Sequence, residues 1–551
     1  MESFRRGWLP DFERRQFYRG EIRFRNGVIS EIRELSPDRI NDPDPGSDFP
    51  VILPGLVDAH VHIESSMLVP SRFSREVVRF GTVATVSDPH EIANVLGVDG
   101  VEFMIGDAHK GPAKIFFTAP SCVPATDFET AGAAIEADDL EPLMALNRVV
   151  ALGEMMNYPG VIHRDPRVMA KLNLAAKYGL PIDGHAPGVS GDALIAYASA
   201  GISTDHECVT LAEAEEKIAE GMVILIREGS AARNFDNLAQ LISRYPHQVM
   251  LCTDDCHPDD LIRHHIDQLI RRGLASGIHL FDLIQAASIN PVKHYQLRVG
   301  LLQKDDPADF ILVSDLKQFR VIETVIDGQT AFALGKPSTT LAPVVPLNRF
   351  NAKRIEAINL RIDGHSGLFR VIEAYDGELV TGSGREQMIA MNGEIQADPH
   401  RDLLKIAVVN RYQPASPSIA IIRGFGLKRG AMASSIAHDS HQVIAVGTSD
   451  QELAKAINLV VTNKGGISIC DGDEQLMLPL PVAGLMSADE AGTVAGQYEA
   501  LNRMAREMGS TLRAPLMTLS FMALLVIPEL KIGDRGLFDG KEFRFTNLRI
   551  G

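Results

Sequence analysis

From residue 51 to about residue 290, short apolar runs alternate with longer stretches whose apolar residues recur at helical spacing. Eight such runs occur, at 51–60, 82–90, 113–121, 148–155, 180–185, 202–206, 222–229 and 248–255. Their β-branched content and their length predict strands. The stretches between them predict helices: 167–178, with Val168, Leu172, Ala175 and Ala176 on one face, then 192–200 and 235–245. Eight strand-then-helix units in succession predict a (β/α)8 barrel, a fold that usually takes ~250 residues. The fifth-to-sixth unit is short, so an irregular helix is expected there.

The flanks follow a different pattern. Residues 21–29 form two alternating runs about Asn26-Gly27, a hairpin signal. Residues 42–48, rich in Pro, Asp and Gly, predict a loop. After the barrel, 299–313 returns to strand patterning, and 321–326 and 329–332 flank Asp327-Gly328 as a second hairpin. Segments 1–50 and 298–345 are therefore expected to complete one small β domain, split by the barrel at 51–297. Residues 346–551 predict a separate α/β domain, with strands at 419–422 and 443–446 flanking Gly424-Phe425-Gly426-Leu427-Lys428-Arg429-Gly430. That glycine spacing does not fit the dinucleotide pattern Gly-x-Gly-x-x-Gly. The fold class is α/β: a TIM-like barrel, a split β domain and a C-terminal α/β domain.

Bulk properties narrow the function classes. A formal charge of −17 argues against binding to a nucleic-acid backbone, which needs a basic surface. Five scattered cysteines without a Cys-x-x-Cys read as reduced thiols. The N-terminus lacks the apolar core of a signal peptide, and the apolar stretch 514–527 falls short of the ~20 residues that span a bilayer. The expectation is a cytoplasmic homodimer with no membrane and no nucleic-acid partner.

Chemistry concentrates where the barrel would place it, at the C-terminal ends of the strands. These ends carry His60 and His62, Asp88, His90 and Glu91, Ser121, Glu154, His185, His206, Arg227, and Asp254 with Asp255. His60 and His62, two apart on a strand, can aim at one metal. A dinuclear site needs several imidazoles and a bridging anion. His60 and His62 would hold one metal, His185 and His206 the second, Glu154 would bridge, and Asp254 would touch a metal and move a proton. Imidazole with carboxylate suits Mn²⁺ or Fe²⁺, with Zn²⁺ also compatible. His264, His265 and His279, on or beside a late helix, are expected at the surface, and Cys252 and Cys256 in the core; His163 and His247 receive no role.

These positions resemble the amidohydrolase superfamily, Pro54-Gly55-Leu56-Val57-Asp58-Ala59-His60-Val61-His62 most of all. Within it, five stretches resemble the bacterial adenine deaminases: Glu64-Ser65-Ser66-Met67, Ser87-Asp88-Pro89-His90-Glu91-Ile92-Ala93-Asn94-Val95, Gly184-His185-Ala186-Pro187-Gly188, Gly426-Leu427-Lys428-Arg429-Gly430-Ala431 and Ala437-His438-Asp439-Ser440-His441. Dihydroorotases and hydantoinases use a carboxylated Lys where this chain has Glu154. The resemblance implies hydrolysis of adenine, a small purine base, to hypoxanthine and ammonia by a metal-activated hydroxide at a dinuclear centre, in purine salvage. It implies catalytic roles for Asp254, Glu154 and His90 and a substrate-binding role for Glu91. Other readings are an amidohydrolase of another cyclic amidine or amide, and a silent barrel that only binds a ligand.

Overall fold

A computed structural model describes residues 2–43, 49–230, 232–333, 335–337 and 341–550; the loop expected at 42–48 lies outside them from residue 44 onward. Packing divides the chain into two compact units. The first comprises 1–89, 104–122 and 136–343, and the second 90–103, 123–135 and 344–551. Segments 90–103 and 123–135, which the sequence pattern assigns to the barrel, thus group with the C-terminal residues.

In the first unit, the segments before and after the barrel meet in one eight-stranded sheet. Its N-terminal strands are β1 (Ser3–Asp11), β2 (Gln16–Arg25), β3 (Val28–Ile40) and β4 (Val51–Pro54). The turn between β2 and β3 is the expected Asn26-Gly27, with φ of 54° and 81°, the left-handed pair that a two-residue hairpin needs.

The barrel strands follow: β5 (Leu56–Val61), β6 (Thr82–Ser87), β7 (Lys114–Ala119), β8 (Val149–Met155), β9 (Ile182–Gly184), β10 (Thr204–Asp205), β11 (Val223–Arg227) and β12 (Val249–Cys252). The strands β13 (Phe310–Val313), β14 (Val321–Ile326), β15 (Gln329–Ala333) and β16 (Lys336–Pro337) complete the first sheet, whose order is β16-β15-β14-β13-β4-β1-β2-β3.

Every residue of β5, β6 and β8 is buried. This is the signature of parallel strands covered on both faces. Strands β5 to β9 form one parallel sheet and β10 to β12 another. Parallel bridges at Ile182–Ile202 and Val61–Asp254 join the two into a closed ring of eight.

The structure corrects three local expectations. The run 51–60 is two strands rather than one. Pro54 cannot donate to a ladder, and a Cβ on Gly55 would stand 2.3 Å from both γ-methyls of Val83, so only glycine passes there. The segment between β9 and β10 holds a regular nine-residue helix, Gly191–Ser199, not an irregular one. The helix expected at 235–245 is broken into Phe235–Leu238 and Leu241–Arg244.

The second unit is built on a largely antiparallel sheet. Thr381–Met388, Gly367–Ala374, Ser418–Arg423, Leu404–Val409, Val443–Gly447, Ala431–Ser434, Gly466–Asp471 and Glu474–Pro479 lie in that spatial order. Helix Asp450–Thr462 packs its Leu453, Ile457 and Val460 on this sheet. The apolar stretch 514–527 contributes a seven-residue helix, Pro515–Phe521, buried along its whole length. Among the described residues, no helix is long and apolar enough to cross a membrane.

Candidate active site

The seam that closes the barrel carries part of the site itself. Asp254 donates its amide to the His60 carbonyl at 2.9 Å, and its carbonyl accepts from the His62 amide at 3.1 Å. Its φ of 58° is left-handed, a costly choice for a residue with a side chain and one found at functional positions. The backbone of this carboxylate is thereby registered against both histidines of the His-x-His pair.

Six of the residues expected from the sequence converge here: His60, His62, Glu154, His185, His206 and Asp254. Glu154 stands between the imidazoles. One of its oxygens lies 3.2 Å from His62 Nε2, and the other lies 2.7 Å from His185 Nδ1 and 3.2 Å from His206 Nε2. Asp254 Oδ1 is 3.2 Å from His62 Nε2 and 3.6 Å from His60 Nε2. The rings of His60 and His206 stack with centroids 4.4 Å apart. Five of the six residues are buried, and only His185 is partly open, with 24% of its side chain exposed.

Electrostatics and donor chemistry both suit cations in this cluster. Burial opposes charge on His62, but Asp254 and Glu154 outweigh it and raise the imidazole well above its ordinary range. Burial likewise penalises the Glu154 anion, yet His185, His206 and His62 hold that carboxyl well below its usual range. His62 Nδ1 lies 3.0 Å from the Asp88 carbonyl, so the ring proton sits there and the Nε2 lone pair faces two carboxylate oxygens. A lone pair aimed at anions calls for a proton or a metal ion. Both ring nitrogens of His60 are buried with no hydrogen-bond partner among the described residues, and a coordinated cation would remove that cost at one of them. The ligand atoms of His60, His62 and Asp254 lie within 4.8 Å of one another, as do those of His185, His206 and Glu207.

Several supporting residues escaped the sequence reading. Asp88, a strand end to which the sequence assigns no role, accepts the Glu154 amide on Oδ2 at 2.9 Å. Tyr197 OH accepts the His185 amide and donates to the Met155 carbonyl, both at 3.0 Å. Glu207 follows His206 directly and pairs with Arg227, which in turn reaches Asp254; an acid beside a strand-end histidine was the available signal. His265, expected at the surface, is 2% exposed. Its Nε2 lies 3.1 Å from Asp58 Oδ2 and its Nδ1 lies 2.8 Å from Thr82 Oγ1. Ser121 is buried and donates to the Glu154 carbonyl at 2.5 Å. Asp255 accepts a hydrogen bond from Ser65.

His90 and Glu91 belong to the second unit. His90 Nε2 is 3.6 Å from Glu91 Oε1, and its carbonyl accepts from Asn94 at 3.0 Å. Both oxygens of Glu91 are engaged: Oε1 lies 2.6 Å from His438 Nδ1, and Oε2 pairs with His441 Nε2. Burial disfavours the Glu91 anion, but the two imidazoles hold it well below the usual carboxylate range. This trio has ligand atoms close enough to surround an ion. However, the Ala437 amide donates to His441 Nδ1 at 3.3 Å, which places the neutral ring's proton on Nε2, toward Glu91. The trio is a hydrogen-bonded clamp. The glycine-rich stretch is similarly filled from within, because the Gly424 and Gly426 amides donate to the Asp402 carboxylate at 2.7 and 2.8 Å.

Comparison with known proteins places these features in a lineage. The amidohydrolase family model matches residues 51–331, and the model of the adenine deaminase C-terminal domain matches residues 378–544. The chain is 51% identical over 560 residues to an adenine deaminase of Methanosarcina barkeri, covering all of both chains. It is 50% identical to one from Sulfurovum sp., covering 98% of each. Among solved structures, a beta-aspartyl dipeptidase from Fervidobacterium islandicum AW-1 aligns with a TM-score of 0.46 at 17% identity, covering 62% of this chain and 99% of that one.

Proposed function

The chain belongs to the amidohydrolase family and, within it, to the adenine deaminases, and from that premise we propose how its residues divide the work. The reaction is hydrolysis of adenine to hypoxanthine and ammonia: water's oxygen replaces the amino group at C6. The full-length relatives do not favour another cyclic amidine or amide as substrate. One observation carries the assignment of the site, the placement of Glu154 between His62 on one side and His185 and His206 on the other.

Two divalent cations fit this donor set, Mn²⁺ or Fe²⁺ ahead of Zn²⁺ because of the carboxylate share. His60, His62 and Asp254 would hold one and His185 and His206 the other, with Glu154 giving an oxygen to each. When bound, the cations would supply Lewis acidity and make water a nucleophile at neutral pH. Asp254 accepts the proton of the attacking water and delivers it to the departing amine. His185, the partly open member, marks the side from which substrate enters. His90 keeps a catalytic assignment on its sequence position after β6. Glu91, with both oxygens occupied, holds the loop bearing His438 and His441 rather than reading the purine.

The proposed domains are a barrel at 51–297, a β domain from 1–50 and 298–345, and a C-terminal domain at 346–551. The five free, buried cysteines support a reducing cytoplasmic setting. Purine salvage as the role and a homodimer as the assembly complete the proposal.

Asp254→Asn tests the core of it. Turnover of adenine, followed by ammonia release, is expected to fall about 10²–10⁴-fold, the range of a general acid–base group. Metal content by elemental analysis should persist, since five other ligands remain. A near-wild-type rate would show that another residue moves the proton.

A further inference from the structure

We propose that Arg227 is a positioning residue for this reaction: with Glu207 it fixes which oxygen of Asp254 faces the histidines. The inference rests on the proton-transfer role given to Asp254. Arg227 closes β11, and its buried guanidinium spans two carboxylates. Nη1 donates to Glu207 Oε1 at 2.5 Å and to Asp254 Oδ2 at 2.7 Å, while Nη2 donates to Glu207 Oε2 at 2.9 Å. The double contact with Glu207 is a fork that arginine makes and lysine cannot.

The backbones of Glu207 and Arg227 are both tied down. The Glu207 amide donates to Asp205 Oδ1 at 2.8 Å, and the Arg227 amide donates to Asn234 Oδ1 at 2.8 Å. Asn234 is held in turn by its donation to the Cys208 carbonyl at 2.9 Å. Forked onto Glu207, the guanidinium is held where Asp254 Oδ2 meets it.

That matters because the terminal torsion of an aspartate is broad and nearly two-fold, so its two oxygens exchange easily. Arg227 breaks the symmetry. With Oδ2 occupied, Oδ1 alone is presented to His60 and His62. The same cation offsets charge where the carboxylates Glu154, Glu207 and Asp254 crowd together. Removing it frees the Asp254 carboxylate to rotate and leaves Glu207 buried without its cation.

The experiment is a cycle of Arg227→Gln, Asp254→Asn and the double variant in metal-loaded full-length protein. Readouts are kcat and KM for adenine together with metal content. Arg227→Gln is expected to lower kcat about 10²-fold, as a misplacement near 1 Å can do, with KM little changed and metal retained. In the Asp254→Asn background the same change should cost little more, because the residue it positions is already disabled. Arg227→Lys, which keeps the charge but not the fork, should recover only part of the rate, and it serves alone if the Gln variant does not fold. Equal losses in both backgrounds, full activity of Arg227→Gln, or full recovery with Lys would overturn the inference. Asp254→Asn working at the wild-type rate would instead refute the proton-transfer reading itself.

Discussion

Adding one methyl group at Gly153 tests how tightly the site is assembled. An ideal Cβ there would stand 2.3 Å from Asp88 Oδ2 and 2.8 Å from Thr118 Oγ1, separations that real side chains do not tolerate. Asp88 cannot retreat as a whole. Its amide donates to the Val61 carbonyl at 3.0 Å and its carbonyl accepts from His62. Its side chain must therefore swing off the Glu154 amide, which it accepts at 2.9 Å. Losing that charge-assisted bond costs about 1.5–3 kcal/mol, and the overpacked methyl adds about 1–3 kcal/mol. Gly153→Ala should thus lose roughly 3–5 kcal/mol of stability by urea unfolding. Because Glu154 is the next residue, kcat should also fall ~10²-fold for a shift near 1 Å. Gly106→Ala is the control, since nothing lies within 4 Å of its added Cβ. A Gly153→Ala protein with wild-type kcat and unfolding midpoint would show that Asp88 moves without cost and does not position Glu154.

Three further outcomes are expected. Glu154→Gln, unable to carry charge toward both sets of imidazoles, should be isolated with less bound metal than wild type; equal content by elemental analysis would remove the bridging role. Glu91→Gln replaces a carboxylate held between two imidazoles by a neutral amide with one acceptor oxygen and should lower stability by about 1–3 kcal/mol; relative rates on adenine and its N-methylated analogues should stay the same, and a changed ratio would return Glu91 to reading the purine. Lys531 is fully buried, its ammonium donating to the Leu379 and Phe521 carbonyls, and burial pulls it from an ordinary 10.5 down to about 7. Between those values the unfolded chain holds the proton more tightly than the folded one, so stability should rise with pH from about 7 to about 10.4, by at most ~4–5 kcal/mol. Lys531→Met should flatten that rise in urea titrations, and an unchanged slope would assign the pH dependence elsewhere.

The barrel was legible because its signal is local. Each strand declares itself by a run of apolar, β-branched residues, and alternation with helical spacing sets the count at eight. The candidate ligands were legible for the same reason, since strand ends are where such barrels keep their chemistry. What the pattern could not show is which side chains at neighbouring tips touch. Arg227 and Glu207 are 20 residues apart, and Glu91 and His438 are 347 apart. Periodicity carries no information on either pair. Nor could it show the break at Gly55, because Val83, which crowds that glycine, belongs to the next strand.

Asp58 shows where that boundary runs. It shares parity with His60 on the first barrel strand and with His62 just past its end, so the period of two that aims the histidines at a metal also turns Asp58 toward the interior, one layer below. A carboxylate there must be satisfied, because an unpartnered buried acid costs several kcal/mol. Its need was therefore deducible from the sequence, while the identity of its partners was not. The fold supplies Thr253, whose amide and hydroxyl both donate to it, and His265 at 3.1 Å. Thr253 immediately precedes Asp254, so the carboxylate beneath His60 holds the chain that presents the proposed proton carrier. The histidine that looked like a surface residue beside a helix completes this lower layer. Its Nε2 lies against Asp58, the carboxylate that the alternating pattern turns inward two residues before the first proposed ligand.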